Sequence, residues 1–242
     1  MVQAPPTANQ PQIQQIEELA IAISAKKFNP TILSEEFLKF SGIVPQEWAL
    51  ARQPVVSANM AQITFQNGLN INAQPRLTTF VELIGGKEFD NVLAPAVARQ
   101  YVEKLAGAEY QQFNLGIKTL VPFSSDRNGA RKFITETLLS PGPWSQISTE
   151  PLQATVTLQY KLTDCQLVIA VNEATLQVGE ENTIAALLFG GTFIYSIASE
   201  SPQERINLFN KSLNNWQRDI ENFREIVKNR FLRQEESLFP SL

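Results

Sequence analysis

Two stretches of this chain, 13–107 and 108–242, pass through the same order of patterns, and this repetition limits the fold more than any single motif does. Each half reads as a strand, a helix, three strands joined by tight turns, and a closing helix. In the first half, Leu19, Ile21 and Ile23 alternate with small residues across "ELAIAIS", the period of two that marks a strand with one buried face. A helix through Ile13, Ile16, Leu19 and Ile23 fits the same residues, but their β-branched side chains favour the strand. Ser34, two acids after it and Gly42 past the end define a short helix. Asn67-Gly68 divides two alternating runs, and because both residues tolerate positive φ, a type I′ hairpin is predicted there. "RLTTFVEL" is the third strand, and residues 91–105 form a helix with one apolar side.

The second half begins with "YQQFNLGIKTLVPF" as a strand and "SDRNGARKFITETLL" as a helix capped by Ser125 or Asp126. Three further strands follow the break at "PGPW", and the Gly190-Gly191 pair in the last of them reads as a bulge. The expected architecture is α+β: tandem β-α-β-β-β-α halves forming one or two mostly antiparallel sheets, with helices packed on one face. Residues 1–12, with Pro5, Pro6 and Pro11 among polar neighbours, have little to bury and are expected to be a disordered tail.

The closing helix is long and fully punctuated. Ser201 is its N-cap, Pro202 its first residue and Glu204 completes a capping box. Ile206, Phe209, Leu213, Trp216, Ile220, Phe223 and Val227 then recur at alternating steps of three and four. That rhythm serves a coiled-coil seam as well as a helix lying on its own sheet. Trp216 is wide for a two-stranded seam, and only Asp219 and Arg224 offer a flanking charge pair, so packing on the sheet is expected. A homodimer seam and a heterologous partner are the alternatives.

Composition narrows the chemistry. The sequence has no histidine, which removes Ser-His and Cys-His catalysis and histidine-ligated metals. Cys165 is the single cysteine, so neither an internal disulfide nor a cysteine-based zinc site can form. No Walker loop is present, and Glu35-Glu36, Asp126 and Glu180-Glu181 are explained by caps and solvated loops. No catalytic residue, cofactor or metal is therefore assigned. A net charge of -4 argues against a broad nucleic-acid or lipid footprint. With no apolar leader or membrane-length run, a cytoplasmic location is expected.

Two surfaces remain as candidates. Lys211, Arg218, Lys228 and Arg230 lie on the outer side of the closing helix and are a possible docking patch for a protein partner. Phe209, Trp216 and Phe223 would wall an apolar cleft between helix and sheet, suited to a small molecule. The leading expectation is a non-catalytic protein-interaction or self-association module. A small-molecule binder is the alternative, and a nucleic-acid binder a further one.

The run from Gly42-Ile43-Val44-Pro45 through Trp48 to Phe65-Gln66-Asn67-Gly68 resembles a group of uncharacterised cyanobacterial proteins. The resemblance covers about a third of the chain and rests on turn and core residues. It implies a cellular source and carries no assigned activity.

Overall fold

The computed structural model describes residues 16–232, apart from 124–125, 141, 148, 150–151 and 179–181. The expected tail at 1–12, the Ser125 cap and the Glu180-Glu181 pair lie outside the described residues. All nine strands join one antiparallel sheet: β1 (Glu17–Ala25), β2 (Val55–Val56), β3 (Ala61–Thr64), β4 (Asn70–Gln74), β5 (Leu77–Leu83), β6 (Tyr110–Phe123), β7 (Val156–Lys161), β8 (Gln166–Val178) and β9 (Asn182–Ser196). Their spatial order is β2-β3-β4-β5-β1-β6-β9-β8-β7. The first strand of each half lies at the centre, and the last, middle and first of the three hairpin strands follow outward in the same sequence on both sides. Antiparallel β1 and β6 thus sit at a local two-fold relation between the halves, and the α+β class with helices packed against the sheet stands as expected.

Burial in β1 alternates strictly, with Leu19, Ile21 and Ile23 fully enclosed and Ala20 and Ala22 on the opposite face. That choice settles the strand against the helix: a β-strand turns every second side chain to the core, and here the core needs all of them. The enclosed face is covered by α1 (Glu35–Phe40), α2 (Ala94–Lys104), α3 (Gly129–Lys132), α4 (Pro202–Leu213) and α5 (Trp216–Ile226). Ser34 accepts a hydrogen bond from the Phe37 amide, and Gly42 ends α1 at φ 72°, as its punctuation predicts.

Three local expectations are corrected. Gly68 alone takes positive φ at the β3–β4 turn, and no non-glycine residue in the described chain does, so the type I′ turn is absent. The Phe65 carbonyl instead accepts from the Gly68 amide, Leu69 donates to the Asn67 side chain, and Phe65 pairs with Leu69 across a three-residue loop. The helix expected after β6 is only four α-helical residues followed by a wider π turn over Phe133–Leu138. Asp126 does not cap it but closes its own turn by accepting from the Asn128 amide at 2.8 Å.

The third correction concerns Gly190-Gly191. The β6–β9 ladder runs through both without a shift in register, so there is no bulge. The reason for Gly191 lies above it: a Cβ there would meet the Phe223 ring at 2.4 Å. A glycine in a central strand gives up side-chain packing, and here the space it frees is filled by an aromatic ring from α5.

The closing helix crosses this face in two pieces. The chain leaves the α-helix at Asn214-Asn215, residues of low helix propensity, and ends in a π turn over Val227–Phe231. Arg99 of α2 holds the joint, donating to the side chains of Asn210 at 3.0 Å and Asn214 at 2.7 Å. A jointed helix follows a twisted sheet better than a straight one. The capping box at its start is half formed: Ser201 accepts from the Glu204 amide, while the Glu204 carboxylate takes the Ser199 hydroxyl.

Candidate interaction surface

The apolar rhythm of the closing helix faces its own sheet. Phe209, Leu213, Ile220 and Phe223 are fully enclosed and Val227 nearly so. Phe209 meets Phe113 edge-on at 5.3 Å, and Phe231 meets Phe189 at 5.4 Å. Trp216 is half-buried with its ring edge-on to Phe89 at 5.1 Å. Arg224 lies over the same Phe89 ring at 5.5 Å and reaches the Glu17 carboxylate on β1 with both Nε and Nη2. The proposed walls of a cleft are therefore packing residues: the space between helix and sheet is filled by Phe209 and Phe223 themselves.

Among the described residues, two surface clefts lie elsewhere that are not lined by those aromatics. One, of about 530 Å³, lies among Lys26, Glu109, Gln111, Ser199, Glu200 and Arg205. Arg205 is 5% exposed and donates Nη1 to the Ser199 and Glu200 carbonyls, while its Nε has no partner among the described residues. The other, of about 390 Å³, lies beside α3 among Arg131, Lys132, Thr135 and Glu136.

One polar cluster under α5 was not legible in the sequence. Asp219, 1% exposed, receives the Tyr195 hydroxyl and is paired with Arg218 at 3.2 Å. Loss of hydration pushes the Asp219 carboxyl above its ordinary value, against the pull of Tyr195 and Arg218. Burial likewise raises the Tyr195 hydroxyl, with Asp219 beside it adding to the effect. The neighbouring Cys165 thiol is also raised by burial, the opposite of what makes a thiolate nucleophile. Because the folded state binds the Asp219 proton more tightly than the unfolded chain, this residue's contribution is complete below pH 3.8 and declines as pH rises through the elevated value. The Asp219→Asn variant, whose amide oxygen can still accept from Tyr195, is expected to gain stability relative to the parent as pH rises from acid toward neutral. Urea unfolding of both proteins across that range checks this, and a constant difference between them would contradict it.

Lys211, Arg218, Lys228 and Arg230 are all exposed, and of the four Arg218 is tied to Asp219. None of the four lines either cleft. Among the described residues no group of three or more acids or cysteines is arranged to hold a metal ion, and no helix is long and apolar enough to cross a membrane.

Among the described residues, the face of the sheet opposite the helices carries no covering helix. Strand register places Thr64, Asn70, Val81, Ala20, Gly116, Thr192, Val168 and Gln159 in one row across eight strands. A second row runs Gln62, Asn72, Thr79, Ala22, Asn114, Ile194, Gln166 and Lys161, and a third Leu83, Glu18, Lys118, Gly190, Ala170 and Thr157. Only Glu18, Lys118 and Lys161 are charged in these rows, and Glu18 and Lys118 neutralise each other at 2.7 Å. On the β3–β4 side the face is carboxamide and hydroxyl, with Asn70 donating to Thr64 at 2.8 Å. On the β6–β9–β8 side it turns apolar through Leu120, Leu188, Ile194, Val168 and Ala170. Val81, Leu120, Val168, Leu188 and Ile194 are half-buried yet belong neither to the core nor to the side chains packed against it.

Comparison of the chain with protein-family models, with curated proteins and with solved structures finds no match.

Proposed function

We propose that this chain is a non-catalytic protein-interaction module whose working surface is the open face of the nine-stranded sheet. The observation that carries the reading is the near absence of charge from a continuous face that is apolar on one side. A solvated sheet face ordinarily alternates toward charged and polar residues, whereas depletion of charge with apolar content at the centre is the signature of a surface that another molecule covers. The face also argues against a nucleic-acid role: its central Lys118 is already paired with Glu18, and the other cation of the rows, Lys161, stands alone at the edge strand, too little positive charge for a phosphate backbone. The module is placed in the cytoplasm, where its lone thiol Cys165 stays reduced.

The basic outer side of α4 and α5, with Lys211, Arg218, Lys228 and Arg230, is the competing surface. Photo-cross-linking in the native cell separates the two, with the reactive residue placed at Val168 on the sheet or at Lys228 on the helix. Protein adducts are expected from position 168. Adducts from 228 alone would move the working surface to the helices, and none from either position would overturn the reading.

A further inference from the structure

Resting on that reading, we propose that the molecule covering the open sheet face is a second copy of this chain, joined face to face about a two-fold axis. Area allows it. Nine strands at a spacing of about 4.8 Å span roughly 38 Å, and a mean strand of about eight residues adds some 27 Å in the other direction. The face is therefore on the order of 1,000 Å², against the ~800 Å² per partner of a standard stable interface.

Charge selects the partner. An acidic or basic protein would find only Lys161, at the edge strand, to pair with, since the central charges Glu18 and Lys118 already satisfy each other. The complementary surface must itself be uncharged, apolar on one side and amide-rich on the other. This face meets that description: a two-fold axis lying between the sheets and across the strands sets each strand over its own copy. With the axis crossing β9 midway between Leu188 and Ile194, Leu188 faces the partner's Ile194 and Val168 the partner's Ala170, while Thr64 and Asn70 on the amide-rich side lie next to the axis. Small residues at Ala20, Gly116, Gly190 and Ala170 keep the middle of the face low, so the flanking larger side chains can interdigitate. Although each chain carries a net charge of -4, none of that excess lies at the centre of this face.

Sedimentation velocity of the full chain is expected to give a species of twice the 27.1 kDa chain mass, with an affinity not weakened by raising salt from 0.1 to 1 M, since apolar burial is not screened. Leu188→Glu and Val168→Glu each bury a charge against an apolar side chain of the facing copy and are expected to weaken the dimer ~100-fold or more. Their side chains point away from the core, so melting temperature and circular dichroism of the resulting monomer should confirm that it stays folded. A dimer indifferent to both substitutions, or one dissociated by Lys228→Glu instead, overturns the inference. A wild-type chain that remains monomeric also overturns it; if position 168 still cross-links to a different protein, the interaction reading survives, and if it cross-links to nothing, both fall.

Discussion

Replacing Phe223 with Ala is expected to lower the unfolding free energy by about 3–5 kcal/mol, the usual cost of removing a fully enclosed aromatic ring. Phe223 is 0% exposed and lies directly over Gly191, in the strand that Ile117 and Ile169 flank. Its ring occupies the volume that a side chain at 191 would need, because a Cβ built there lies 2.4 Å from two ring carbons. Gly191→Ala should therefore overpack the site and cost about 1–3 kcal/mol alone. In the Phe223→Ala background the same methyl enters vacated space, and its penalty should vanish or reverse. The double mutant then departs from additivity by about 1–3 kcal/mol, as contacting residues do. Urea unfolding of the parent, both single variants and the double variant measures this coupling. Additive losses would mean that the ring does not rest on Gly191.

Most elements were legible because their signals are local. Ser34 with Gly42, the alternation through Leu19, Ile21 and Ile23, and the order of elements repeated in both halves each depend on neighbours a few positions apart. The failures were contacts between distant parts of the chain. Gly190-Gly191 has the local look of a bulge, yet Gly191 is explained by a ring on a helix far downstream. The three-and-four rhythm continues through Asn214-Asn215 without a gap, so the joint was hidden by the pattern that surrounds it. Asp219 read as a flanking charge for Arg224 because its partner, Tyr195, faces it only once α5 lies on β9. The open face has the same origin. No stretch of sequence contains one of its rows, since each row takes one residue from every strand, and the row exists only after register is fixed.

Glu82 gives the sharpest case of a role invisible in sequence, and Glu82→Ala is expected to cost about 3–5 kcal/mol. In sequence it is one acid in an alternating strand, where a charge ordinarily points to water. In the fold it is 1% exposed, on the core side of β5 between Val81 and Leu83. One carboxylate oxygen accepts from the amides of Leu93 and Ala94, both at 2.8 Å, and the other is paired with Lys87 at 2.7 Å. The helix α2 begins at Ala94 with no side chain of its own N-cap, Leu93, able to accept, so the strand supplies the cap. A negative charge there also complements the positive end of the helix dipole. Removing it strands an enclosed Ala94 amide and leaves Lys87 without its carboxylate, and loosens the helix whose Tyr101 hydroxyl meets Thr78 in the core. Glu82→Gln retains an acceptor oxygen but turns an N–H₂ group toward one of the donors, so its loss should be smaller, about 1–3 kcal/mol. Amide hydrogen exchange distinguishes capping from simple loss of packing. If Glu82 caps α2, exchange at Leu93 and Ala94 accelerates well beyond the change in global stability, while the amides of β1 and β6 follow only the global change. Equal acceleration everywhere would assign the residue to the core and not to the helix end.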